Sequence, residues 1–160
     1  MQLEVERRGL LADNQLGTVR RVQGAKEQAM LKLSLNKEYG HLFKSTRIDV
    51  KKAFDSIDHK YLVGCISKLS FPKWIACFVK KITFKWSLDV RAKLESIVNK
   101  RVNKGILQGD SHSPLLFGLC IDPFSRRLNG RYPKVSIHAE EISHATNHLL
   151  FIDDLKLCQQ

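Results

Sequence analysis

At 160 residues, 43% hydrophobic and 27% charged, the chain carries enough apolar content to bury a sizeable core; this excludes a disordered polymer, and the length is that of one domain or a piece of a larger one. A formal charge of +11 and a pI near 9.7 point to a polyanionic partner, either nucleic acid or an anionic surface, with a Lys-rich face kept for solubility as the plain alternative. Four cysteines without a C-x-x-C pair argue against a disulfide framework or a zinc ribbon, and no segment has the apolar length of a signal peptide core or a membrane span, so an intracellular, non-secreted protein with no membrane partner is expected.

The charge is unevenly spread. Residues 44–104 hold 15 Lys or Arg against 5 acids, whereas the first 43 residues contribute +2 and the last 56 contribute −1. A basic middle beside an acid-bearing end suits a surface that grips phosphates next to a site that holds cations.

In chain order, Thr18 to Leu35 reads as a basic amphipathic helix with Val22, Ala25, Ala29, Leu31, Leu33 and Leu35 as an imperfect apolar stripe, punctuated by Gly17 and Gly40. "HLFKSTRIDV" reads as a buried strand of about six residues that closes on Asp49. "SIDHKYLVGCISKLS" reads as a helix capped by Asp58, with Leu62, Cys65, Ile66 and Leu69 on one face and a break at Phe71-Pro72. A second helix follows from about Lys73 to Phe84. "KWSLDVRAKL" alternates Trp86, Leu88, Val90 and Ala92 with polar neighbours, and "NKRVNKGILQG" can return as its hairpin partner, rich in lysine. Trp74, Phe84 and Trp86 are open to two readings, stacking surfaces for bases or ordinary core.

"GILQGDSHSPLLFGLCIDPFSRRLNG" is a Gly-bounded loop running into an apolar helix, with Ser113 and Pro114 at its start and Asn129-Gly130 at its end. "KVSIHAE" and "NHLLFIDDLKLC" supply two or three strands, the last two joined by a tight turn carrying Asp153 and Asp154. His144 and His148 have H-x-x-x-H spacing, but no cysteine pair lies upstream at finger spacing, which argues against zinc. The short late connections favour an α+β fold with a largely antiparallel sheet.

Asp49, Asp153 and Asp154 stand out. Adjacent carboxylates repel, and gathering them beside a third acid costs several kcal/mol unless a cation compensates. Taken alone, Asp153-Asp154 reads as a polar hairpin turn.

Context favours the cation. "RIDVKKAFDSIDH", "GILQGDSHSPLLF" and "FIDD", in that order, resemble the three palm motifs of a reverse transcriptase of the non-LTR retrotransposon type, and "LADNQLGTVRRVQGAKEQ" resembles the fingers segment of its site-specific members; together they cover most of residues 11–158. The resemblance implies a palm-like antiparallel sheet with packed helices in residues 41–160, a partial fingers segment in residues 1–40, and no thumb. It implies an RNA-directed DNA polymerase fragment that transfers a nucleotide from dNTP to a primer 3′-OH, with two Mg²⁺ ions, or Mn²⁺ in their place, as cofactor.

Residue by residue, the resemblance makes Asp49, Asp153 and Asp154 the catalytic metal ligands, joined by the backbone carbonyl of Val50, with Asp55 a neighbour and no ligand. Lys52 and Ala53 would offer backbone N–H groups to the triphosphate, and Phe54 would pack under the incoming sugar, its other reading being core packing. Gln108 and Gly109 would approach nucleotide and template, with Pro114 starting the supporting helix. Arg20 and Arg21 would meet triphosphate or template, or else are solvated surface charges. The implied partners are an RNA template, a DNA primer and dNTP, with the rest of the polymerase in a longer or separate chain, and the implied location is nuclear.

Two positions depart from the family pattern. His112 stands where an apolar residue anchors the loop and needs a polar partner, and Ile152 stands where Met or Ala is usual. Six residues follow Asp154, so the palm is expected to be incomplete, its sheet edge beyond the last strand uncovered, and the isolated chain weakly active or inactive. The alternative function is a truncated retrotransposon remnant, catalytically inactive, with residual basic nucleic-acid binding.

Overall fold

The structure is a computed structural model, described here for residues 1–18, 23–92, 95–139 and 142–159. Its centre is a three-stranded antiparallel sheet in the order β1-β7-β6, made of β1 (Lys44–Ile48), β6 (His148–Phe151) and β7 (Asp154–Gln159). The chain's last strand is therefore the middle one. The expected uncovered edge beyond it does not exist; the open edge is β1, all five of whose residues are exposed, so β1 is not the buried strand expected either. The far side of β6 is covered by residues 14–16, where Leu16 N–H donates to the Leu150 carbonyl at 2.9 Å and Leu150 N–H to the Asn14 carbonyl at 2.9 Å.

Helices pack around this sheet. α1 (Gln2–Arg7) and α2 (Gly24–Tyr39) precede β1, and α2 buries Gly24, Gln28 and Leu35, spaced by four and then seven residues along one face. The expected stripe meets this face at Leu35, with Leu31 partly buried beside it, and departs from it elsewhere, because Leu33 is 67% exposed and Ala25 and Ala29 face solvent; Val22 lies outside the described residues. Gln28 explains the misreading, since a buried polar residue that accepts from Lys156 Nζ at 2.9 Å does not register as apolar.

After β1 come the short α3 (Ala53–Ser56), then α4 (His59–Lys68) and α5 (Lys73–Lys85). Asp58 caps α4 as expected, accepting from the backbone N–H groups of Lys60 at 2.7 Å and Tyr61 at 3.1 Å, and these bonds hold its carboxyl below the usual range. A separate hairpin, β2 (Ser87–Ala92) with β3 (Glu95–Arg101), follows; its return strand begins and ends earlier than expected and leaves "GILQG" free as a loop. α6 (Ser113–Arg131) is the core helix, burying Leu115, Leu116, Phe117, Leu119 and Cys120 against Leu62, Ile66 and Val79. A second hairpin, β4 (Val135–Ala139) with β5 (Ile142–Thr146), brings the late strands to four, more than the two or three expected.

A buried polar cluster ties these layers together. Asn14 donates to Thr146 Oγ1 at 2.7 Å and to the His148 carbonyl at 2.8 Å, while the His148 ring sits between Ser125 Oγ at 2.7 Å and Asn147 Oδ1 at 2.6 Å. Burial pushes the His148 pKa down to about 4, so the ring is neutral at pH 7 and engaged on both nitrogens. His144 has no described side chain, and among the described residues no group of three His, Cys, Asp or Glu side chains is placed to hold a metal. Cys65, Cys120 and Cys158 are buried thiols and Cys77 is an exposed one.

Candidate active site

The site is assembled where β1 ends and β7 begins. The β1-β7 register pairs Ile48 with Leu155, so Asp49, directly after β1, and Asp154, the first residue of β7, lie at the same end of the sheet. The β6-β7 register pairs Phe151 with Asp154, leaving Ile152 and Asp153 as the two central residues of the turn. Pairing of antiparallel strands thus carries three acids distant in sequence to one end of one sheet.

Both loops at this end contain a residue with positive φ that is not glycine: Lys52 at 51° and Ile152 at 57°, and they are the only such residues among those described. A left-handed conformation costs roughly 1–2 kcal/mol for an L-residue, and more for a β-branched one, so it persists only where the surroundings impose it. Around Ile152 the imposing group is Gln15, 2% exposed, whose Oε1 accepts from Ile152 N–H at 3.1 Å and whose Nε2 donates to the Ile152 carbonyl at 3.4 Å. Gly17 N–H in turn donates to Gln15 Oε1 at 3.2 Å, and a Cβ on Gly17 would stand 2.7 Å from Ile152 N. Gln15 and Gly17 therefore fix the Asp153-Asp154 turn. The only trace of this role in the sequence is the polar pair Asn14-Gln15 set before Leu-Gly in the fingers-like stretch.

Lys52, exposed, forms the N-cap of α3 with φ 51° and ψ 45°, and places Ala53, buried, at the first helical position. The loop before α6 docks directly on this turn. Ile106 N–H donates to the Phe54 carbonyl at 2.9 Å, Gly105 N–H to the Ile57 carbonyl at 2.7 Å, and a His59 ring nitrogen lies 2.7 Å from the Gly105 carbonyl oxygen. At Gly105, where φ is +94°, a Cβ would come within 3.1 Å of Asp55 Cα, so only glycine permits the approach. The second expected motif is thus bonded to the first, backbone to backbone. Gln108 and Gly109 lie exposed beyond this junction, and Gln108 shares with Asp55 and Gly105 a cavity of about 260 Å³. A larger cleft of about 600 Å³ lies at the opposite end of β7, beside Tyr132, Val135 and Leu157, away from the acids.

Phe54 stacks on Phe117 with ring centroids 4.7 Å apart, so it has a packing role, and it is half-buried. Pro114 occupies the first turn of α6, where its missing N–H costs nothing, and Ser113 Oγ closes the loop by donating to the Leu107 carbonyl. His112 finds its polar partner in Asp110, whose Oδ1 accepts from His112 N–H at 2.8 Å and lies 3.3 Å from the ring; the backbone bond holds the Asp110 carboxyl below its usual range. Arg20 and Arg21 lie outside the described residues.

The three carboxylates share an end of the sheet without converging on one point. Asp154 turns instead to Arg47, whose Nη2 donates to Oδ2 at 2.8 Å and Oδ1 at 2.9 Å, with Nε on Oδ1 at 3.1 Å. The Asp154 carboxylate raises the Arg47 pKa, and Asp49 adds to the effect. Carboxylate and carbonyl oxygens are the donors a hard divalent cation takes, but in this arrangement the three carboxylates stand apart and Asp154 is engaged by a guanidinium. No sequence pattern singled out Arg47, which sits among the lysines of the basic middle.

The match to known proteins agrees with this arrangement. The family described as reverse transcriptase (RNA-dependent DNA polymerase) covers residues 9–160. Similar proteins include the Pol polyprotein of the type-1 retrotransposable element R2 of Nasonia vitripennis, 32% identical over 114 residues, which are 69% of this chain and 10% of that protein. The Pol polyprotein of the type-2 element R2DM of Drosophila melanogaster is 30% identical over 110 residues, 69% of this chain and 10% of that protein. A 149 kDa protein of transposon TX1 of Xenopus laevis is 26% identical over 124 residues, 71% of this chain and 10% of that protein. The chain spans only a tenth to a fifth of the curated relatives it matches. With its antiparallel sheet, its three motifs in order and this coverage, the chain belongs to the reverse transcriptase family, in the branch of the non-LTR retrotransposons.

Proposed function

We propose that these residues form the palm centre of an RNA-directed DNA polymerase that joins a deoxynucleotide to a primer 3′-OH on an RNA template. The observation that supports the reading is the β1-β7 register, which brings the end of β1, followed by Asp49, to the start of β7 at Asp154, with Asp153 in the adjoining turn. Asp49, Asp153, Asp154 and the Val50 carbonyl are the residues that would hold two Mg²⁺ ions, or Mn²⁺. Bound there, the ions would supply Lewis acidity toward the attacking hydroxyl and the pyrophosphate leaving group.

The chain's own residues do the positioning. Lys52 and Ala53 turn backbone N–H groups toward the triphosphate, as successive amides after a strand do for phosphate oxygens. The half-buried Phe54 ring, backed by Phe117, forms a flat floor for the sugar, and a bulky floor disfavours a ribose 2′-OH. Gln108 and Gly109, carried on the loop that docks on α3, approach the nucleotide and template. Residues 1–40 act as part of the fingers and residues 41–160 as the palm, with Arg20 and Arg21 as candidates for triphosphate or template contact.

The β2-β3 hairpin and α5 hold the nucleic-acid backbone. Lys80, Lys81, Lys85, Arg91, Lys100 and Arg101 are exposed there, and the Arg101 guanidinium lies 3.6 Å from the ring centroid of Phe84, itself 65% exposed. Exposed aromatics among cations support stacking and phosphate contacts, and affinity that falls with salt. On this reading the primer is a nicked chromosomal end, and the protein acts in the nucleus.

The test is Mg²⁺-dependent extension of a DNA primer on an RNA template, with the chain joined to or supplemented by the remaining polymerase regions. Replacing Asp154 by Ala removes a ligand worth several kcal/mol and is expected to lower extension at least a hundredfold. Full extension by that variant overturns the carboxylate assignment.

A further inference from the structure

We propose that Arg47 is a positioning residue that latches the Asp154 carboxylate and competes with a divalent cation for it; the proposal rests on the reading of the three carboxylates as a metal site. An ionised carboxylate offers about four lone-pair directions. Arg47 occupies three of them, through Nη2 to both oxygens and Nε to Oδ1, at 2.8–3.1 Å. About one direction is left, on Oδ2, enough for a single metal–oxygen bond, so a cation that takes more of the carboxylate has to displace the guanidinium.

The strand geometry makes this competition local. Arg47 pairs with Lys156 across the sheet, and Asp154 lies two residues along β7 on the same face, the diagonal neighbour within reach of a long side chain. Asp49 lies two residues beyond Arg47, directly after β1, so the guanidinium stands at the sheet end that carries both acids. Two consequences follow. The latch compensates charge that would otherwise repel across the β1-β7 end, and it sets a threshold that the incoming cation has to exceed.

Release is cheap. The Arg47 side chain is 65% exposed on an edge strand, so swinging out returns it to water without opening the core, whereas Asp154 is 28% exposed and fixed at the start of β7. Exposed ion pairs are worth little, so the threshold is modest and depends on salt.

The test is Mn²⁺ binding to the 160-residue chain, followed by loss of the free-ion paramagnetic resonance signal at low ionic strength, which reads occupancy and not turnover. Arg47→Ala is expected to bind Mn²⁺ about two- to fivefold tighter than the native chain. Arg47→Lys is expected to fall between the two, because Lys keeps the charge and loses the two-pronged fork. An Arg47→Ala affinity equal to or weaker than native overturns the latch. So does an Arg47→Lys affinity identical to native alongside a tighter Ala variant, since that pattern reports only long-range charge. Asp154→Asn separates the two readings. If native chain binds Mn²⁺, Asp154→Asn does not, and Arg47→Ala is unchanged, the metal site stands and the latch falls; if none of the three binds Mn²⁺ at millimolar concentration, both fall.

Discussion

The two loops that carry the acids solve the same problem by different means. Each turns on a non-glycine residue at positive φ, Ile152 on one side and Lys52 on the other. The Ile152 turn hangs from buried β6, is gripped by the Gln15 side chain, packs against Gly17, and continues a strand that begins at fully buried His148. The Lys52 turn follows an exposed edge strand, and what holds it is backbone, the Gly105 and Ile106 amides bonding to Ile57 and Phe54. Strain in the backbone persists only where other contacts over-determine it. Asp153 and Asp154 are therefore presented by a rigid half-site, and Asp49 by one whose edge strand is free to adjust.

The largest expected effect tests the rigid half through pH. His148 has a folded pKa of about 4, below the ordinary value of 6.5, because burial disfavours its charged form. Above pH 6.5 the ring is neutral folded and unfolded, and stability is fully present. As pH falls from 6.5 toward 4 the unfolded chain takes up a proton that the folded chain refuses, and stability is lost, by about 3 kcal/mol at most. Urea midpoints measured between pH 7 and pH 4 should show this slope, and a His148→Asn variant should lack it. Asp58 and Asp110, with lowered pKa values, add their own losses only at lower pH, where carboxylates protonate.

Next come the contacts on the turn itself. Gly17→Ala drives a methyl to 2.7 Å from Ile152 N, and backbone cannot yield as a flexible side chain would, so a loss of about 2–3 kcal/mol in denaturant unfolding is expected. Gln15→Ala leaves the Ile152 N–H without its acceptor in a buried setting, with an expected cost of about 2 kcal/mol. Losses below about 0.5 kcal/mol in both variants would mean that the turn is held by the β6-β7 ladder alone and that the contrast between the two half-sites is not real.

These contacts also mark the limit of what the sequence reveals. β-favouring residues located β1, and helix periodicity located α4, α5 and α6, closely, because residue type, apolar spacing, the Asp58 cap and the Pro114 start are local signals. Asp49 was expected at a strand end and Asp153 with Asp154 in a strand-to-strand turn, and the structure has them there. What stayed hidden is non-local: that β7 inserts between β1 and β6, leaving β1 bare, depends on pairing across more than a hundred residues of chain. Gln15 and Arg47 were illegible for a related reason, since a glutamine in a loop and an arginine among lysines acquire their roles only from the partners that the fold brings to them.

The smallest effect discriminates most sharply between the two turns, because it changes sign. Lys52 is exposed and contributes backbone to α3, so Lys52→Gly removes left-handed strain of roughly 1–2 kcal/mol and adds back roughly 0.5–1 kcal/mol of unfolded-chain entropy. A net gain of about 0.5–1 kcal/mol is expected in urea unfolding. Ile152→Gly relieves the same kind of strain and adds the same entropy, but it also withdraws a half-buried side chain that packs on the core beneath, a loss of about 1–2 kcal/mol. That substitution should be neutral or destabilising. A stabilising Ile152→Gly would show that the isoleucine contributes little packing; a destabilising Lys52→Gly would show that the lysine side chain, and not only its backbone, holds the Asp49 loop in place.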